Sequence, residues 1–127
     1  MGLLSGLLGN ASIISADDMM RQLEPILAMT ETVELAFQLI RDQFVFTNKR
    51  LILIDKQGLT GHKVEYLSIP YRSITRFSIE TAGHFDLDAE MKIWIGSDPM
   101  PIVKELRGSD NISAVQKALA TAMFSGH

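Results

Sequence analysis

His84, Asp86, Asp88 and Glu90 stand two residues apart, a spacing that puts all four side chains on one face of a strand. Imidazole and carboxylates so arranged are the donors of a hard-metal site or of acid–base chemistry. Neighbours at that spacing lie about 7 Å apart, so a single strand cannot close a coordination shell. An adjacent strand would have to complete it, and no second His or carboxylate cluster stands out. We therefore read the group as a polar outward face, with no catalytic or metal-binding residue assigned. Lys92 continues that face and can pair with Glu90 or with charges across a subunit boundary. Trp94 is its odd member, because a large ring on a polar face calls for a cover. Either the chain's own N-terminal arm or an adjacent subunit could supply it.

Other chemistries lack their residues. The 127-residue chain has no cysteine, which excludes disulfides, thiolate metal sites and a Cys nucleophile. It contains no GxSxG elbow, P-loop or GxGxxG, so neither nucleophilic catalysis nor nucleotide binding is indicated and no cofactor is expected. Lys+Arg number 12 against 15 Asp+Glu, a net charge of −3, which argues against a nucleic-acid partner. Arg41 sits beside Asp42, and the next basic pair is Lys49-Arg50. A phosphate cradle needs clustered donors, so Lys49 and Arg50 read as solvated turn residues.

The elements that position these residues follow from periodicity. Ser15 followed by Ala-Asp-Asp marks a helix start. Met19, Met20, Leu23 and Leu27 recur at helical spacing until Pro25 kinks or stops the helix. Val33 to Ile40 fits either a half-buried strand or one helix face. Phe44 to Thr47 and Arg50 to Lys56 are strands joined by Asn48-Lys49, with Asn suited to the positive φ of a tight turn. Lys63 to Ile69 and Ser73 to Thr81 follow as strands. Phe85 to Ile95 alternates strictly, as an antiparallel strand with one wet face does. Pro101 to Leu106 supplies a last short strand, and Ile112, Val115, Leu119, Ala122 and Met123 form a helical stripe. Seven strand candidates precede one amphipathic helix.

The greasy start MGLLSGLLGNASIIS lacks the basic n-region of a secretory signal, and Gly6 stands where N-myristoylation wants Ser or Thr. No unbroken apolar run is longer than Leu51 to Ile54, too short to span a membrane. A cytoplasmic location is expected, and membrane adhesion is not. Leu3, Leu4, Leu7 and Leu8 could share one helix face, packing on their own domain or contacting a neighbouring subunit.

TNKRLILID at residues 47–55, IPYRSITRFSIET at 69–81 and AGHFDLD at 82–88, taken in order with the MGLLSGLLGNAS start, resemble the single-domain branch of the bacterial pleckstrin homology (PH) domain family. The resemblance resolves the Val33 segment as the first strand. It implies an α+β, mainly β fold: a PH-like seven-stranded antiparallel barrel capped by the C-terminal amphipathic helix, with a short N-terminal helical arm. On that reading residues 1–29 are the arm and 30–127 the barrel with its helix, one domain in all. The resemblance also implies a cyclic homo-oligomer, pentameric in single-domain members, with a polar surface where neighbouring strands meet. The expected function is a non-enzymatic module for protein–protein interaction, its protein partner unidentified. Asp86, Asp88, Glu90, Lys92, Trp94, Arg72 and Arg76 are the candidate surface. The alternative is a lipid or membrane-surface module drawing on Lys49, Arg50 and the Leu3 to Leu8 stretch.

Overall fold

The computed structural model describes residues 13–39, 42–57, 62–81, 89–106 and 112–124. The chain forms two compact units, one of which is Ala11–Pro70 while the other includes Tyr71–His127. Among the described residues the fold is mainly β with two α-helices, and every strand pairing is antiparallel. Among the described residues the strands fall in two sheets, of five and three strands. Counting a two-residue strand ahead of the Val33 segment, the described residues form eight strands rather than seven.

In the first unit, β1 (Ile13–Ile14), β2 (Val33–Gln38), β3 (Asp42–Thr47), β4 (Arg50–Gln57) and β5 (Lys63–Pro70) pair in chain order. Between β1 and β2 comes α1 (Ala16–Leu23), capped by the Ser15 hydroxyl, which accepts from the Asp18 N–H at 3.2 Å. Asp17 and Asp18 occupy its first turn, where the positive end of the helix dipole favours them. Asp18 also pairs with Arg21 on the exposed side. Pro25 ends the helix as expected, and the chain passes into a 3-10 turn, Glu24–Ile26.

β3 is buried along its whole length, and Leu51 to Ile54 of β4 are buried without interruption. Residues alternate faces along a strand, so runs of this kind need a cover on both sides of the sheet. One cover is the arm: Met19 and Leu23 of α1 pack with Val33, Ala36, Val45, Ile52 and Ile54. Phe37, Phe44, Phe46, Leu51, Leu53 and Ile69 lie on the opposite face of the pleat, all buried, with Phe37 edge-on to Phe46 at 6.0 Å.

In the second unit a 3-10 turn (Tyr71–Ser73) leads into β6 (Ile74–Thr81), then β7 (Ala89–Ile95), β8 (Ile102–Leu106) and α2 (Ile112–Phe124). Here burial alternates. Ala89, Met91 and Ile93 of β7 are buried, while Glu90, Lys92 and Trp94 between them are partly exposed. Gly96, at φ +57, ends β7 in the left-handed conformation that glycine accepts without strain. Val115 and Leu119 are the buried residues of α2.

Candidate functional site

The outward face of the three-stranded sheet collects charge from all three strands. Register places Glu80 of β6, Glu90 of β7 and Glu105 of β8 in one cross-strand row. The next row in the same direction is Ser78, Lys92 and Val103, and beyond it Arg76 stands opposite Trp94. A bulge between Ile74 and Arg76 sets this register. Adjacent strands thus do bring carboxylates alongside Glu90, which the sequence reading did not anticipate. Among the described residues, however, no group of three or more His, Asp or Glu is placed to hold a metal ion.

Few contacts hold this face together. Lys92 Nζ lies 3.8 Å from Glu90 Oε1, with both side chains more than a third exposed (36% and 44%), so water screens the pair and it is worth little. The Arg76 guanidinium stacks over the Trp94 ring, 4.3 Å from its centroid. A cation on the neighbouring strand thus lies against Trp94, a contact that sequence spacing alone does not reveal. The Thr75 hydroxyl donates to the Trp94 carbonyl at 3.3 Å, anchoring β6 to β7 at the bulge. Arg72 is exposed in the preceding 3-10 turn. Asp86 and Asp88 of the candidate surface, His84, and the candidate oligomer contacts Leu3, Leu4, Leu7 and Leu8 lie outside the described residues.

The basic pair Lys49-Arg50 divides. Lys49 is exposed, as expected of a turn residue, but Arg50 is built into the fold. Its Nε and Nη2 donate to Glu31 Oε2 and Oε1 at 2.9 and 3.0 Å, its Nη1 to Ser68 Oγ at 2.7 Å and its Nη2 to the Ile26 carbonyl at 2.7 Å. The Glu31 side chain is fully buried, against 22% exposure for Arg50. It also accepts from the Thr47 hydroxyl at 2.6 Å and the Ala28 N–H at 2.8 Å. Burial pushes the Glu31 pKa up, but the hydrogen bonds from Arg50, Thr47 and Ala28 outweigh it and hold the group at about 2, below its ordinary 4.5. Solvation was the wrong expectation for Arg50 because its acidic partner lies 19 residues away in sequence.

The same cluster corrects the hairpin turn. Asn48 does not take a positive φ; Thr30, at φ 63, is the non-glycine residue that does among those described. Asn48 works through its side chain, donating to the Thr30 carbonyl at 3.1 Å and accepting from the Thr32 N–H at 2.8 Å. The Thr47 hydroxyl meanwhile accepts from the Lys49 and Arg50 N–H groups at 3.0 and 2.9 Å. Together these bonds clamp the Thr30–Thr32 segment to the β3–β4 hairpin, and Arg50 reaches the arm itself at the Ile26 carbonyl.

With this geometry in place, the comparisons with known proteins are decisive for the family. The model of the bacterial PH domain matches residues 2–123. The chain belongs to the bacterial PH domain family. It is 55% identical over 121 residues to YjqA, an uncharacterized protein of Bacillus subtilis (strain 168), across 94% of this chain and 97% of that protein. Among solved structures it resembles the PH domain from Shewanella amazonensis SB2B, with a TM-score of 0.85, 49% identity, and coverage of 98% of this chain and 100% of that one. A DUF1696-family protein with a PH domain from Shewanella loihica PV-4 is also similar, with a TM-score of 0.77, 50% identity, and coverage of 89% and 97%. Among the described residues no helix is long and apolar enough to cross a membrane.

Proposed function

We propose that this bacterial PH domain is a cytoplasmic, non-enzymatic interaction module. It assembles as a cyclic homo-oligomer, a pentamer on the family resemblance, and offers the outward face of the three-stranded sheet to a protein partner at the subunit junctions. The observation that carries this reading is the state of that face. Glu80, Glu90, Glu105, Lys92, Arg76 and Trp94 are gathered there, yet their mutual contacts are one screened ion pair and one stacking contact. Trp and Arg are enriched where proteins bind one another. A ring needs one repeated heterologous contact, which a face with chemically different ends can serve.

The lipid-surface reading is weakened by the same geometry, because Arg50 is engaged by Glu31 and of its basic pair only Lys49 is left exposed. Size-exclusion chromatography with multi-angle light scattering, on the full chain and on a variant lacking residues 1–14, tests the proposal. A discrete multimer of several subunits supports it; a monomer at micromolar concentration overturns it. In that event, co-sedimentation with anionic vesicles that fades with salt would establish the lipid reading instead.

A further inference from the structure

One of the bonds that tie the arm to its sheet runs through sulfur. The Val33 N–H donates to Met20 Sδ at 3.0 Å. Val33 opens β2 and is buried, while β1 meets β2 only at Ala36 and Phe37. A buried N–H needs a partner, and at this end of β2 a thioether, ordinarily a weak acceptor, supplies it. The Met20 side chain also packs against the apolar cluster that Met19 and Leu23 form with Val33, Ala36, Val45, Ile52 and Ile54.

The arm has little stability to spare. α1 has eight residues, too few to persist as a free helix, and two of them, Met19 and Leu23, are buried. The Arg50 bond to the Ile26 carbonyl and the two-residue β1 add to its hold. Elements tied down by so few contacts are the first to open. Of the arm's methionines, Met19 is buried and Met29 is exposed. Met20 lies between these extremes, half-buried yet bonded to the sheet.

We propose that Met20 is an oxidation site through which a peroxide loosens the arm. A lone pair on Sδ attacks one oxygen of the peroxide and forms an S–O bond as the O–O bond breaks. The proton on that oxygen passes to the departing one, which leaves as water or an alcohol. Sulfur gives up two electrons, the peroxide takes them, and the product is the sulfoxide. The new oxygen disturbs the contact whichever way it points. Directed at Val33, it becomes the acceptor, and a nitrogen–oxygen separation of about 2.9 Å drives the sulfur back from its place, lifting this turn of α1 off β2. Directed elsewhere, it leaves the N–H facing a sulfur stripped of charge, which no longer accepts. Either outcome weakens the cover over Val33, Ala36, Val45, Ile52 and Ile54. A methionine sulfoxide reductase reverses the step, passing the oxygen to a dithiol and giving thioether, disulfide and water.

Hydrogen peroxide on the full chain tests the proposal, in a Met29→Leu/Met100→Leu background that removes two exposed thioethers. Peptide mass spectrometry should find an added oxygen on Met20 while buried Met19 and Met91 stay unmodified. Amide exchange over Ala16–Leu23 should then rise about tenfold, the factor that losing one hydrogen bond produces, and fall again after treatment with the reductase. Met20→Leu keeps the packing volume but has no sulfur to oxidise, so peroxide should leave its exchange unchanged. Met20→Gln puts a polar amide in place of the thioether and should raise exchange without peroxide. Melting curves check that each variant is folded. Oxidation of Met20 only together with Met19 and Met91 overturns the proposal, because the sulfur is then reached through unfolding. So does a Met20 sulfoxide with unchanged exchange, or an equal response to peroxide in Met20→Leu.

Discussion

The two sheets of this molecule solve the same problem, burying apolar surface on pleated strands, in opposite ways. The five-stranded sheet is covered on both faces along β3 and β4, one cover being the chain's own arm through Met19 and Leu23. The three-stranded sheet keeps one face buried and leaves the other to Glu80, Glu90, Lys92, Trp94 and Arg76. Their polar interactions differ in kind as well. In the first sheet a fully buried carboxylate is held by a bidentate guanidinium, a hydroxyl and a backbone N–H. In the second, Lys92 and Glu90 face each other across 3.8 Å in water. Buried polar groups must be satisfied within the protein, whereas exposed ones are already satisfied by solvent and remain available to a partner. The contrast puts the buried, structurally held polar cluster in the first sheet and solvent-facing polar groups in the second.

This division can be broken at its strongest point first. Arg50→Ala strands Glu31 without its partner and should cost about 3–5 kcal/mol, the range for opening a buried pair, read as a lower urea midpoint. Leu23→Ala removes part of the arm's cover and should cost about 2–5 kcal/mol, measured the same way. Acid comes next. Because the folded Glu31 pKa, about 2, lies below its ordinary 4.5, its contribution is complete above that ordinary value and is lost as pH falls toward 2. The total is on the order of 3 kcal/mol. Urea midpoints between pH 6 and pH 2.5 should show the slope, and Arg50→Ala should flatten it. The smallest effect belongs to the other sheet, where Arg76→Ala should change stability by about 0.5–1 kcal/mol while shifting Trp94 fluorescence. A cost at Arg76 as large as that at Arg50 would erase the distinction between the sheets.

Which features could be read from sequence follows from how local their causes are. The cap at Ser15, the stop at Pro25 and the alternation of β7 depend on residues within a turn or two, and each appears where its spacing puts it. The continuous run Leu51 to Ile54 already required two covered faces. The Glu31–Arg50 pair was hidden because an acid in a connection and a base at the start of a strand look like ordinary solvated residues until the fold joins them. The Glu80–Glu90–Glu105 row and the Arg76–Trp94 stack were hidden for a related reason. Both depend on cross-strand register, which the bulge at Ile74/Arg76 sets and which no period along a single strand encodes.

The neighbour order within the sheets also bears on how the chain finds its structure. From β1 to β5, and again from β6 to β8, each strand pairs with the one that precedes it in sequence. Among the described residues β2 to β5 and β6 to β8 pair across short connections, which keeps the loop-closure entropy of those pairings small, while β1 reaches β2 across the arm helix. Mainly-β proteins usually fold slowly because their pairings span long stretches of chain; the hairpin pairings from β2 to β5 and from β6 to β8 reduce that cost. During synthesis, all the strand partners of the first sheet will have emerged by Pro70, before β6 begins.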